Sequence, residues 1–156
     1  MGILSGIRIH LIIVRLKEGI ILPVIGQIAV QVPANHEHPT YRVAAEIAQE
    51  SPFREALKGY VREAGVLEPE AYAELLNALI YREQHVRLQI YNHKLRSREE
   101  VIEWVKGALL TAYERRLSRE LYREFVERYR TRLLDHLEDK RPYFFLFKRI
   151  LFWAQR

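Results

Sequence analysis

Asn35, His36, Glu37 and His38 crowd one short polar loop, and two imidazoles flanking a carboxylate are the right types to ligate a metal ion. A closed site usually needs four ligands, however, and no further ligand stands at an obvious spacing, so no metal site is expected. The chain has no cysteine, which removes thiolate ligands, disulfides and a Cys nucleophile. No Ser/His/Asp constellation and no His-x-x-x-His pair stands out. The seven glycines are Gly2, Gly6, Gly19, Gly26, Gly59, Gly65 and Gly107, and no two are separated by a single residue. A G-x-G nucleotide loop is therefore impossible here. If this chain does chemistry, it does so by positioning and charge.

The loop is carried by the stretch Gln27 to Val32, where Ile28, Val30 and Val32 alternate with Ala29 and Gln31 in the two-residue period of a strand. Pro33 ends it, having no N–H to donate. In open α/β sheets ligands sit outside the carboxyl ends of strands, which places the loop where chemistry is expected. A buried strand with a polar exit turn explains the same residues without any chemistry.

A chain of 156 residues, 49% hydrophobic, suits one domain with a single core and excludes wholesale disorder. A cysteine-free chain fits the cytoplasm, and one Met with 29% charged residues would suit a heat-adapted source. The net charge of +5 is spread out: +2 in residues 1–33, −1 in 34–96, +1 in 97–141 and +3 in 142–156. No strongly positive face is implied, so a nucleic-acid surface is not expected. Residues 1–26 hold two apolar runs, Ile7 to Leu16 and Gly19 to Gly26, split by Lys17 and Glu18. Neither is long enough to span a membrane, and no cleavage site follows a clean apolar core. The dense β-branching of residues 7–16 predicts a strand.

Further along, the spacing predicts a helix from Thr40 to Gln49 capped by Thr40, then a second from Pro52 to about Ala64. Glu68-Pro69 opens a third, with Tyr72, Leu75, Leu76 and Leu79 on its apolar face. Glu83 to Tyr91 alternates as a strand. Ser97-x-x-Glu100 reads as a capping box for a helix burying Val101, Trp104, Val105 and Ala108. Ser118 caps a longer helix whose outer face mixes both signs of charge, a solvated ion-paired surface. Ile150 to Ala154 reads as a strand buried on both faces.

Four stretches, in order and spacing, carry a resemblance. They are Ile28 to Asn35 with His38-Pro39, Glu83 to Tyr91, Ser97 to Gly107, and Phe147 to Phe152. Together they resemble the C-terminal part of the trans-aconitate 2-methyltransferases, S-adenosylmethionine-dependent enzymes of the class I Rossmann-like fold. The resemblance implies an α/β architecture: a partial methyltransferase sheet of about three to four strands with a large helical insertion before the last strand. Gln27–Val32 would be the family's fifth strand and Glu83–Tyr91 its sixth. Ile150–Ala154 would be the seventh, antiparallel between them. Residues 1–156 then form a single domain, divided into an apolar segment 1–26, a strand-helices-strand part 27–96, a substrate-covering helical insertion 97–141 and a C-terminal strand 142–156.

The resemblance also implies a methyl transfer to a small polycarboxylate, with Asn35, His36, Arg115 and Arg149 as candidate substrate contacts. Arginine offers carboxylates a bidentate fork. Trp104, at a core spacing, is expected to be buried packing. The family's glycine-rich loop and ribose-binding acid have no counterpart, so the chain is expected to lack the cofactor half, through truncation, a shifted upstream frame or the choice of segment. S-adenosylmethionine is then not expected to bind this chain alone. A non-catalytic homo-oligomeric module derived from the same fold is the other reading. A two-fold dimer is expected: Ile7–Leu16 is the spare strand to cover the edge of Gln27–Val32, within the chain or from a neighbour, and the apolar faces of Ile9, Leu11, Ile13, Ile21 and Ile25 would be buried between two copies.

Overall fold

The computed structural model describes residues 26–63 and 65–156, so the strand expected at residues 7–16 lies outside the described residues. The elements run β1 (Gln27–Pro33), α1 (Pro39–Ala48), α2 (Phe53–Ala56), α3 (Pro69–Ala78), β2 (Glu83–Leu95), α4 (Glu99–Val105), a π-turn (Lys106–Leu110), α5 (Thr111–Glu114), α6 (Arg119–His136) and β3 (Tyr143–Gln155). They form two compact units. One holds the described residues 26–34, 65–91 and 147–156; the other holds Asn35–Glu63 and Asn92–Leu146.

The strands form a three-stranded sheet in the order β1-β3-β2, with β1 antiparallel to β3. The last strand lies between the other two, as the family topology requires. In the sheet unit, Val32, Ala34, Ile150, Phe152 and Ala154 pack with Tyr72 and Leu76 of α3 and with Tyr81. Tyr72 stacks on Phe152 at 4.9 Å between ring centres. The α3 helix starts at Pro69, with its fixed φ at N1, as the sequence predicts. It stops in a paired bond set, Ile80 N–H to the Asn77 carbonyl and Tyr81 N–H to that of Leu76. The stop puts Ile80 at φ +62° with its side chain 75% exposed, where glycine is the usual occupant.

The helical unit packs α1 on α6 around Val43, Ile47, Phe53, Phe125, Tyr129 and Leu133. Phe125 meets Phe53 edge-on at 5.2 Å and stacks on Tyr113 at 4.8 Å. Ser118 caps α6 as predicted, its Oγ accepting the Leu121 N–H at 3.3 Å.

Several expectations need correction. His38, not Thr40, caps α1, because Pro39 takes the first helical position and shifts the start back. The helix expected over 52–64 is one turn, Phe53–Ala56, ended by Lys58 and Gly59 at positive φ. The capping box is displaced: α4 starts after Arg98, and the Glu100 carboxylate accepts the N–H of Arg96. Both long strands exceed their predicted ends. In β3 the buried positions are Phe145, then Ile150, Phe152 and Ala154, so the parity changes along the strand. That change, together with exposed Phe144 and Leu146, explains a continuous apolar run without burial on both faces.

Candidate functional site

The loop after β1 is held by its own backbone, the His38 N–H donating to the Asn35 carbonyl at 3.0 Å. Asn35 is buried and His36 half-buried. His38 Nδ1 accepts the Thr40 N–H at 3.2 Å and lies 3.0 Å from Thr40 Oγ1, so in the cap this nitrogen carries no proton. The Thr40 carbonyl accepts the Tyr129 hydroxyl at 3.1 Å. Burial pushes the Tyr129 phenol far above its ordinary range, keeping it a neutral donor. His38 is therefore a positioning residue for the loop.

An aromatic row continues from this cap within the helical unit. His38 meets Phe145 edge-on at 5.2 Å, Phe145 meets Trp104 at 6.1 Å, and Trp104 leans on His93 at 4.4 Å. Trp104 is 41% exposed, which corrects the expectation of buried packing. Val101, Ile102 and Val105 take the buried arc of α4, leaving Trp104 on its shoulder. The sequence had named Trp104 and missed its partners, because His93 and Phe145 come from two strands whose lengths were underestimated. A small pocket of about 310 Å³ lies at the cap, lined by His38, His136, Lys140, Tyr143 and Phe144 among others. The Tyr143 phenol is raised by burial and by the Glu138 carboxylate, so it too is a neutral donor.

The π-turn is pinned from a distance. Arg62 donates to the carbonyls of Ala108 and Leu109, which the irregular turn turns outward from the helical ladder. Arg115 ends α5 and is exposed. An open cleft of about 770 Å³ runs past Lys106, Thr111, Glu114, Tyr122 and Arg123. None of the four predicted contacts lines it.

Arg149 lies in the sheet unit, on β3 opposite Pro33 of β1. Its guanidinium sits 5.1 Å from the Phe147 ring centre and 5.3 Å from that of Tyr91. Its Nε is buried with no hydrogen-bond partner among the described residues. Stacking on ring faces fixes the plane of the fork while leaving its edge for acceptors. Phe147 was findable, since residues two apart on a strand share a face; Tyr91 needed the strand order. Asn35 and His36 are neighbours in one unit, Arg115 belongs to that unit but stands on its surface, and Arg149 belongs to the other. Among the described residues no cluster of three or more His, Cys, Asp or Glu could hold a metal, and no helix is long and apolar enough to cross a membrane.

No family model matches the chain. Curated relatives do. The trans-aconitate 2-methyltransferase of Deinococcus radiodurans is 37% identical over 137 residues, 84% of this chain and 52% of its own length. The chain resembles the C-terminal part of the trans-aconitate 2-methyltransferases. The enzyme of the same name from Afipia carboxidovorans is 32% identical over 122 residues, 78% of this chain and 46% of its own length. That of Variovorax paradoxus is 31% identical over 109 residues, 69% and 42% respectively. This chain thus spans about half the length of these curated relatives.

Methyltransferases of this kind use S-adenosylmethionine, held in the Rossmann-like fold by a glycine-rich turn. Among the described residues the glycines are Gly26, Gly59, Gly65 and Gly107, and no two of them are separated by a single residue, so no G-x-G turn is formed by these residues. At the start of α1, Pro39 has no N–H and the Thr40 N–H is taken by His38.

Proposed function

We propose that this chain is the substrate-facing part of a trans-aconitate-type methyltransferase, contacting a small polycarboxylate and binding little or no S-adenosylmethionine on its own. The observation that carries this reading is the 37% identity to the Deinococcus radiodurans trans-aconitate 2-methyltransferase across 84% of the chain. Arg149 is the contact we favour most, because a guanidinium braced on Tyr91 and Phe147 is prepared for bidentate carboxylate binding. Asn35 and His36, on the loop that His38 caps, and the exposed Arg115 are further candidate contacts, taken within the helical unit by itself. A carboxylate nucleophile is already ionised at neutral pH and needs no general base, so proximity and alignment account for the chemistry. We place this activity in the cytoplasm.

The test is a chemical-shift titration with trans-aconitate, a dicarboxylate and a monocarboxylate. Binding should strengthen with carboxylate number, and Arg149→Gln should weaken the tricarboxylate at least about tenfold, the loss of one charged bidentate pair. Equal binding of all three acids, or no effect at Arg149, contradicts the assignment.

A second reading is supported by the edge of β1, which carries no charged residue: a homodimeric module without catalysis of its own. The two readings share the dimer and differ in whether polycarboxylates bind.

A further inference from the structure

We propose that His38 is an acid-sensitive latch: when its Nδ1 takes up a proton, the cap of α1 opens and the loop from Asn35 to His38 is released. The latch deepens the proposed function by giving its loop contacts, Asn35 and His36, a dependence on pH, and it rests on that reading for this consequence alone.

The residue type at the cap makes the latch. Helix starts favour Ser, Thr, Asp and Asn, whose side-chain oxygens accept an amide N–H without titrating near neutrality. At the start of α1 the acceptor is instead an imidazole nitrogen, whose ordinary titration falls between about pH 5 and 8. His38 Nδ1 receives the Thr40 N–H at 3.2 Å, and Thr40 Oγ1 lies 3.0 Å from the same nitrogen. Nδ1 accepts only in the neutral ring; a proton placed on it turns the acceptor into a donor that faces another donor.

The local geometry turns that conflict into movement. Thr40 is 1% exposed, so its N–H, once refused by the ring, is shut off from water. Its carbonyl holds the Tyr129 hydroxyl of α6 at 3.1 Å, which keeps Thr40 in place. The ring must therefore give way. Flipping it puts a carbon in the cap where the nitrogen was, and turning it aside gives up the edge-on contact with Phe145 at 5.2 Å. His38 also closes the loop itself, through its N–H on the Asn35 carbonyl at 3.0 Å, so a displaced His38 loosens Asn35 and His36 with it.

The titratable groups around the ring come from three sides. On the loop His36 and Glu37 adjoin it, Glu37 being exposed, and in α1 Tyr41 and Arg42 follow Thr40. His136, at the end of α6, and Glu138, Lys140 and Tyr143 beyond it line the pocket of about 310 Å³ that His38 shares. Glu138 is the pocket carboxylate that favours an imidazolium, but it is paired with Lys140, which opposes one. Tyr143 stays neutral because burial and Glu138 both raise its phenol. The pocket charges offset one another, which leaves the cap as the contact that distinguishes the neutral ring from the protonated one.

A nuclear magnetic resonance titration of the nitrogen-labelled chain from about pH 8 to about pH 5 reads ring and cap together. At the alkaline end the His38 ring should carry its proton on Nε2 alone, with the Thr40 amide protected from hydrogen exchange. On acidification that amide should lose its protection at the midpoint at which the ring takes its second proton. His38→Asn, whose side-chain oxygen caps without titrating, should keep the Thr40 amide protected throughout. Trans-aconitate affinity is then compared in both proteins at about pH 8 and about one pH unit below the measured His38 midpoint, so that the acid's own titration cancels. There the latch is about nine-tenths open, and the unsubstituted chain should lose about tenfold more affinity than His38→Asn. A proton on Nδ1 at the alkaline end, a ring that stays neutral throughout, or a Thr40 amide indifferent to the ring's titration overturns the latch. Equal losses of affinity in the two proteins overturn its hold on Asn35 and His36. If neither protein binds trans-aconitate at either pH, the proposed function is contradicted, while the Thr40 amide still decides the latch by itself.

Discussion

The two compact units solve the same problem by different means. In the sheet unit β1 bonds to β3 along one edge, and the core closes around aliphatic residues with Tyr81 and one stacked pair, Tyr72 on Phe152. In the helical unit each helix end leaves groups that the helix itself cannot satisfy. His38 and Ser118 serve the starts of α1 and α6, Arg98 takes the Leu134 and Leu137 carbonyls at the end of α6, and Arg62 takes those of the π-turn. Helices here depend on side chains, local caps at their starts and remote arginines at other ends; strands depend on one another.

The contrast is broken most strongly by Phe125→Ala, which empties a fully buried aromatic site between Phe53 and Tyr113. It should cost about 3–5 kcal/mol in urea unfolding. Arg98→Met should cost about 1–3 kcal/mol by removing the guanidinium from the Leu134 and Leu137 carbonyls, the first of which keeps only the Leu137 N–H. Trp104→Ala should cost less than Phe125→Ala, about 1–2 kcal/mol, because the indole is already part-exposed. A cost equal to that of Phe125 would return Trp104 to the core.

Alkaline pH sharpens the same contrast. Burial raises the phenols of Tyr129, Tyr113 and Tyr41, all in the helical unit, above their ordinary values. Below about pH 10 these phenols are neutral in folded and unfolded chains alike, so their contribution is fully present. Above it the unfolded chain loses protons first, and stability falls as pH rises through the folded values. Urea midpoints from pH 8 to 11 should decline, and Tyr129→Phe should flatten the decline while costing about 1 kcal/mol at pH 7 for its bond to Thr40. The smallest effect has the opposite sign. Ile80→Gly should raise stability by about 0.5–1 kcal/mol, since it relieves a positive φ and gives up only an exposed side chain.

Where a signal was local, it was legible: the alternation of β1, Pro69 at the start of α3, and Ser118 before α6 all stand in the structure as the sequence predicts. The order β1-β3-β2 was legible through family resemblance alone, because nothing in a strand's own residues names its neighbours. The short α2 was missed because its stop uses Lys58 at positive φ, a conformation its residue type does not announce. Of the candidate contacts, Arg149 gained a defined setting on Tyr91 and Phe147, while Arg115 ended on the surface. The guanidinium's bracing depends on adjacent strands, which spacing along one chain cannot reveal.

This chain resembles the C-terminal part of a trans-aconitate 2-methyltransferase, and we propose that it contacts substrate while binding little or no cofactor on its own. Isothermal titration of the chain with S-adenosylmethionine, with trans-aconitate in the cell and without it, tests that most directly. The account predicts no saturable heat from the cofactor in either case. Saturable binding with a Kd in the low micromolar range would contradict it.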